Sequence, residues 1–156
     1  MKNKILLLAA TLLLCACGTA QNIATLPPEC LASELDGSLT ILVTGSGRNK
    51  GDAKEQARKN AVSIVLFDGI RKNNAQPYQA KPLLLEVNAR ERHQDYFDIF
   101  FADGGEYKKY VSNEDTRPLS TEKSKDRHEV HVRLAVRVLV PQLRQRMKND
   151  GIIKMQ

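Results

Sequence analysis

The sequence has little of three things: long apolar runs, aromatic residues and cysteine. Its main apolar stretch, Ile5–Leu14, is well short of the roughly 20 residues that a membrane-spanning helix needs. The 156 residues include no Trp, four Tyr, four Phe and three Cys. With 42% hydrophobic and 27% charged residues, the composition excludes wholesale disorder, collagen and coiled coil. The length allows one domain, or one domain with a tail.

The N-terminus has the pattern of a secretory signal. Lys2 and Lys4 form a basic region ahead of the uncharged stretch Ile5–Leu14, which has the length of a signal-peptide core. One alternative is an ordinary signal peptide that is cut near Ala20. The other is a lipoprotein signal, which the next residues favour.

Leu14-Cys15-Ala16-Cys17 resembles a bacterial lipobox, in which an aliphatic residue and two small residues precede the cysteine that becomes the new N-terminus. Cys17 fits this position, whereas Cys15 does not, because the bulky Leu14 would directly precede the cut. We therefore expect residues 1–16 to be a lipoprotein signal peptide and Cys17 to be the lipidated residue.

The lipobox resemblance implies a diacylglycerol thioether on Cys17, usually with an N-acyl chain such as palmitate. Two or more acyl chains hold a protein stably on a bilayer, so the membrane is the first expected partner. Gly18 is not Asp, which in the sorting rule of such lipoproteins implies the periplasmic face of the outer membrane. Loss of residues 1–16 removes two lysines and lowers the net charge from +6 to +4. This small excess predicts no nucleic-acid partner.

Residues 17–37 are expected to form a lipidated tether, stiffened by Pro27-Pro28, and residues 38–156 a single domain. Cys30 has no cysteine left to pair with inside the chain. It is expected to be an unpaired structural thiol, with a disulfide between chains as the alternative.

The first part of the domain predicts a strand followed by a helix. From Ser38 the pattern has a period of two, with Leu39, Ile41 and Val43 alternating with Thr40, Leu42 and Thr44, as in a buried strand. Gly45-Ser46-Gly47 predicts a tight turn after it. Asp52 is the expected N-cap of the helix, with Glu55 at the capping-box position, and Gly69 is expected to end the helix. One face of this helix is small or aliphatic: Ala53, Ala57, Ala61, Ile64 and Val65.

The rest of the chain predicts a second helix, two strands and a closing helix. Asn88 is expected to cap the second helix, and residues 107–111 to form a short strand. Residues 113–127 are polar and predict a long loop or a β-hairpin connection. Alternation from Val130 to Val140 predicts the clearest strand, and Pro141 fits the first turn of the last helix. The order strand–helix–helix–strand–strand–helix predicts an α+β domain, with helices packed on a small, mainly antiparallel sheet.

The motifs do not favour catalysis. The segment Gly45–Asp52 lies where phosphate-binding loops occur, but it lacks the Gly-Lys-Ser/Thr that such loops require. The three histidines, His93, His128 and His131, have no neighbouring set of thiolates or carboxylates, so no metal is expected. Ser46 has no Gly-x-Ser-x-Gly context and no identifiable base. We expect a protein that is not an enzyme and has no cofactor.

Two surfaces are candidate binding sites. The first holds Tyr96, Phe97, Phe100 and Phe101. Consecutive helical residues are about 100° apart, so these rings occupy more than one face, which indicates either core packing or a surface for a protein partner. The second is a basic strand face with His131, Arg133 and Arg137, which is either solvated or binds an acidic partner.

The Gly-x-Gly at residues 45–47, the alanine-rich helix that follows and the valine-rich strand leading to Leu143 and Gly151 resemble the LPP20-type bacterial lipoproteins. They are also similar to the N-terminal domain of the flagellar assembly protein T. The resemblance covers residues 38–70 and 128–151, and it implies an envelope accessory or scaffold domain without catalytic residues. The segment between these ranges looks more like an insert of uncharacterised lipoproteins of Bacteroidota and implies no function.

Together these patterns predict a periplasm-facing, membrane-anchored lipoprotein. Its expected role is a non-catalytic scaffold or accessory subunit of an envelope assembly, such as a secretion system, with one or more protein partners. The alternative is a binding module that takes a small ligand or envelope polymer on the basic strand face.

Overall fold

The structure is a computed structural model that describes residues 23–70, 80–112, 118–123 and 128–153. The predicted signal peptide and Cys17 lie outside the described residues. So do residues 71–79 of the first predicted loop and parts of the polar segment 113–127.

Four antiparallel strands form one sheet. In chain order they are β1 (Glu29–Ser33), β2 (Leu39–Gly47), β3 (Pro118–Lys123) and β4 (Val130–Val138). Their order across the sheet is β1-β2-β4-β3. Helices complete the domain, and the predicted α+β class is confirmed.

Helix α1 (Lys50–Ser63) packs on β2 and β4 and continues as a wider π-type turn through Ile64–Asp68. Gly69, with a φ of 66°, follows this turn, as predicted. The predicted N-cap was wrong. Asn49 takes that position, because its side chain accepts hydrogen bonds from the backbone N–H groups of Gly51 and Asp52.

The sheet has a buried side, which faces α1, and an outer face. Successive side chains of a strand point to opposite faces. In β4 the side chains on the buried side are therefore Val132, Leu134, Val136 and Val138. His131, Arg133 and Arg137 therefore lie on the outer face. The sequence predicted this division correctly, although β4 ends at Val138 rather than Val140.

Gly45-Ser46-Gly47 is part of β2, so the predicted tight turn was wrong. Both glycines lie on the buried side of the sheet. A Cβ atom on Gly45 would stand 2.2 Å from Ala53 O and Ala57 N, and one on Gly47 would stand 2.6 Å from Ala53 N. The glycines are needed because α1 lies almost directly on the β2 backbone.

The predicted second helix is divided in two. Helix α2 (Ala89–Arg92) and helix α3 (Gln94–Phe100) are separated at His93. Asn88 does precede α2, but its φ is 57° and its side chain makes no capping hydrogen bond. The strand predicted for residues 107–111 was wrong, because Glu106–Tyr110 forms a 3-10 turn that buries Tyr107 and Tyr110.

The C-terminal part follows the sequence closely. β3 pairs with β4, so the hairpin alternative for residues 113–127 holds for residues 118–123. Pro141 lies in the first turn of α4 (Val140–Asn149), and Leu143 and Met147 point into the core.

β1 lies within the stretch that the sequence assigns to the tether. It pairs with the first half of β2 and carries Cys30 into the core. The folded part therefore starts before Ser38, and the tether prediction was wrong for residues 29–33. The Cys30 thiol is free and buried, and this burial raises its pKa, which agrees with an unpaired structural thiol.

Candidate functional site

The basic strand face is covered by acidic and carbonyl groups of the chain itself. The Arg133 guanidinium lies 2.7 Å from Glu29 Oε1 and donates to the Pro27 carbonyl at 3.1 Å. Its side chain is only 7% exposed. Charge-assisted hydrogen bonds in such a setting are strong and directional, so Arg133 is a fixed part of the fold.

Arg137 is paired in the same way, at the turn between β1 and β2. Its Nη2 lies 2.9 Å from Asp36 Oδ2, and its Nε donates to Ser38 Oγ at 2.8 Å. The hydrogen bonds from Ser38, and then the interaction with Arg137, lower the pKa of Asp36. The two arginines of this face are therefore neutralised within the chain, which leaves little charge to attract an acidic ligand.

His131, the third residue of the basic face, makes a cross-strand pair with Ser46. Ser46 Oγ and His131 Nδ1 share a hydrogen bond of 2.7 Å, and Glu129 Oε2 lies 3.9 Å from His131 Nε2. The sequence missed this partner of Ser46, since 85 residues separate the two positions. The carboxylate is too distant for a hydrogen bond, so the trio does not have the geometry of a catalytic triad. The pair satisfies two partly buried polar groups.

The predicted aromatic docking surface is largely core. Phe97 and Phe100 are 1% and 2% exposed, while Tyr96 and Phe101 are half-buried. The rings pack edge-on or stacked on one another, and the neighbouring Phe67, Tyr107 and Tyr110 extend the cluster. The interpretation as a partner surface was therefore wrong for Phe97 and Phe100, because neither side chain reaches solvent.

Three apolar side chains on or before the two short helices α2 and α3 are exposed. Leu85 and Val87 are each 78% exposed, and Ile99 of α3 is 74% exposed. They account for three of the five large hydrophobic residues that are exposed among the described residues. Sequence reasoning did not single them out. Leu85 follows Leu83 and Leu84, and Ile99 precedes Phe100, and all three of these neighbours are buried, so the local pattern does not mark Leu85 and Ile99 as exposed.

A polar cleft of about 380 Å³ lies between the first half of α1 and the turn at Asp103-Gly104. Glu55 is one of the residues that line it. It accepts hydrogen bonds from the Tyr107 hydroxyl, from Lys108 Nζ at 3.1 Å and from Arg58 Nη1 at 3.1 Å. Burial acts to raise the pKa of Glu55, but these hydrogen bonds outweigh it and lower the pKa below its usual range. Burial and the bond to Glu55 raise the pKa of Tyr107.

We expect Glu55 to make the fold sensitive to acid. A carboxyl whose pKa is lower in the folded state stabilises the protein above its unfolded pKa of about 4.3. That contribution is lost as the pH falls through the lower folded value. Urea unfolding at a series of pH values between 6 and 3 should therefore show a smaller acid-induced loss of stability in Glu55→Gln than in wild type. Equal losses in the two proteins would contradict the assignment.

The part of the chain that the structure describes contains no group of three or more His, Cys, Asp or Glu residues able to hold a metal ion. Within the same residues, no helix is long and apolar enough to cross a membrane. Comparisons with known protein families, with curated proteins and with solved structures found no match for this chain.

Proposed function

We propose that this protein is a lipoprotein of the outer membrane, anchored through Cys17 on the periplasmic face, and that its domain is a non-catalytic scaffold or accessory subunit of an envelope assembly. The lipobox-like residues 14–17 and the LPP20-type pattern support the anchor and the envelope location. The exposed apolar residues Leu85, Val87 and Ile99 support binding of a protein partner, and this observation carries the scaffold role.

The physical reason lies in the cost of exposing large apolar side chains. Burial of one such side chain contributes about 1.5–3 kcal/mol, so a protein partner that covered Leu85, Val87 and Ile99 would gain binding energy from each of them. The binding-module alternative has weaker support. Arg133 and Arg137 already have acidic partners within the chain, and a ligand would have to displace Glu29 or Asp36.

A crosslinked pull-down of the lipidated protein from its own membranes tests the proposal. We expect one stoichiometric complex from wild type and a loss of about tenfold or more in Ile99→Glu, which corresponds to about 1.4 kcal/mol of binding energy. Ile99→Val is the matched control, because it keeps an apolar side chain at the same position.

Cys17→Ala tests the anchor in the same experiment. The Cys17→Ala protein should no longer be found in the membrane fraction, and the complex should not be recovered with it. Recovery of only lipid and the protein itself from wild type would contradict the scaffold role, as would full recovery of the complex from Ile99→Glu.

A further inference from the structure

The N-terminal segment, residues 23–28, is fastened to the sheet. Ile23 lies over the outer face, whereas Ala24, Leu26 and Pro28 line a cleft together with residues at the end of α1. Thr44 Oγ1 of β2 donates to the Ile23 carbonyl at 2.9 Å. Arg133 of β4 donates to the Pro27 carbonyl at 3.1 Å, and the same guanidinium holds Glu29 at the start of β1. The described chain therefore begins, at Ile23, over the outer face of the sheet.

This attachment leaves little chain between the domain and the predicted anchor. Only six residue steps separate Cys17 from Ile23. Even if this stretch is fully extended, it spans no more than about 20 Å. A folded domain of this size has a radius of gyration of about 14 Å and is roughly 35 Å across. To place α1 against the bilayer, the connection would have to pass around the sheet and span most of that diameter.

The β1–β2 hairpin has two exposed apolar side chains. Leu35, in the turn between β1 and β2, is fully exposed, and Leu31 of β1 is 43% exposed. Both belong to the hairpin that the N-terminal segment enters directly. Apolar side chains gain free energy when they enter the boundary between headgroups and acyl chains.

We propose that the outer face of the sheet, together with the β1–β2 hairpin, lies against the phospholipid surface to which Cys17 is attached. The partner is a lipid surface, and Leu35 and Leu31 make the apolar contact. Arg133 and Arg137 are neutralised by Glu29 and Asp36, so the contact depends little on charge and should persist at high salt. This inference rests on the lipid anchor of the proposed function, but it does not depend on the protein partner.

The experiment uses the lipidated full chain in phosphatidylethanolamine-rich vesicles that contain a nitroxide-labelled lipid as quencher. Cys30→Ala removes the buried thiol, and a fluorophore is attached either to Ser120→Cys, opposite Arg133 on the outer face, or to Gln56→Cys, exposed on α1. We expect the label at residue 120 to lose most of its fluorescence and the label at residue 56 to lose little, at both low and high salt. Equal quenching at the two positions, or stronger quenching at residue 56, would overturn the proposal.

Two further measurements separate the possible failures. If the wild-type chain does not float with the vesicles, the anchor itself is wrong, and this inference fails with it. If the chain floats, Leu35→Glu should reduce the quenching at residue 120, whereas Leu85→Glu, an exposed leucine outside this face, should not. Unchanged quenching at residue 120 in Leu35→Glu would overturn the proposed contact between the hairpin and lipid.

Discussion

Replacing Phe100 with glutamate is expected to unfold the domain. The Phe100 side chain is 2% exposed and packs against the rings of Phe101 and Tyr110. Loss of a buried phenylalanine costs about 3–5 kcal/mol, and a carboxylate in its place would also have to be desolvated without a partner. The sum is comparable to the whole stability of a small domain.

The neighbouring Ile99 supplies a matched control. Its side chain is 74% exposed, so Ile99→Glu introduces the same charge one residue away without burying it. Urea unfolding followed by circular dichroism should give a near wild-type free energy of unfolding for Ile99→Glu and no cooperative transition for Phe100→Glu. A folded Phe100→Glu protein would show that this ring is not part of the core.

The aromatic segment shows what a periodic pattern can and cannot establish. The pairs Tyr96–Phe97 and Phe100–Phe101 correctly predict that more than one face of α3 is apolar. They do not tell what covers each face. In the structure Phe67, in the π-type turn that follows α1, packs against Phe97, and Tyr107 of the 3-10 turn packs against Phe101. A helix that is buried on two faces therefore has the same sequence pattern as a helix with one face in the core and the other exposed for a partner.

Elements with a full set of local signals were the ones that the sequence could predict. β4 alternates over its whole length, α1 has an unbroken alanine stripe, and Gly69 and Pro141 mark the ends of helices. β1 has no such pattern, because only Cys30 of its five residues is buried. In the 3-10 turn, Tyr107 and Tyr110 are three residues apart, which is the spacing of such a turn, but two residues are too few to exclude a strand.

The charge state of the outer face depends on contacts that are remote in sequence. Arg133 lies 104 residues from Glu29, and Arg137 lies 101 residues from Asp36. Their pairing requires β1 to lie beside β2 and β2 beside β4. Without that strand order, the alternating basic residues of β4 indicate a free cationic surface. In the structure both arginines are paired with acidic side chains, because of strand packing that no local sequence pattern indicates.

Gly45→Ala is expected to be the most damaging change of a single methyl group. Its Cβ would stand 2.2 Å from Ala53 O and Ala57 N, both of which are backbone atoms of α1. Overpacking of a core typically costs about 1–3 kcal/mol. Here the clash is with a helix backbone, which cannot rotate away as a side chain can, so we expect a loss of more than about 3 kcal/mol in the free energy of urea unfolding.

Gly104→Ala is the control, because a Cβ at Gly104 meets no atom within 4 Å. Its φ of 77° costs alanine about 1–2 kcal/mol, so any excess at Gly45 measures the contact with α1. The double variant Gly45→Ala/Ala57→Gly should remain as unstable as Gly45→Ala, since the atoms in conflict belong to the helix backbone and not to the Ala57 methyl group. Recovery of stability in the double variant would instead mean that α1 can shift on the sheet, and that the glycines of β2 do not set the distance between the two layers.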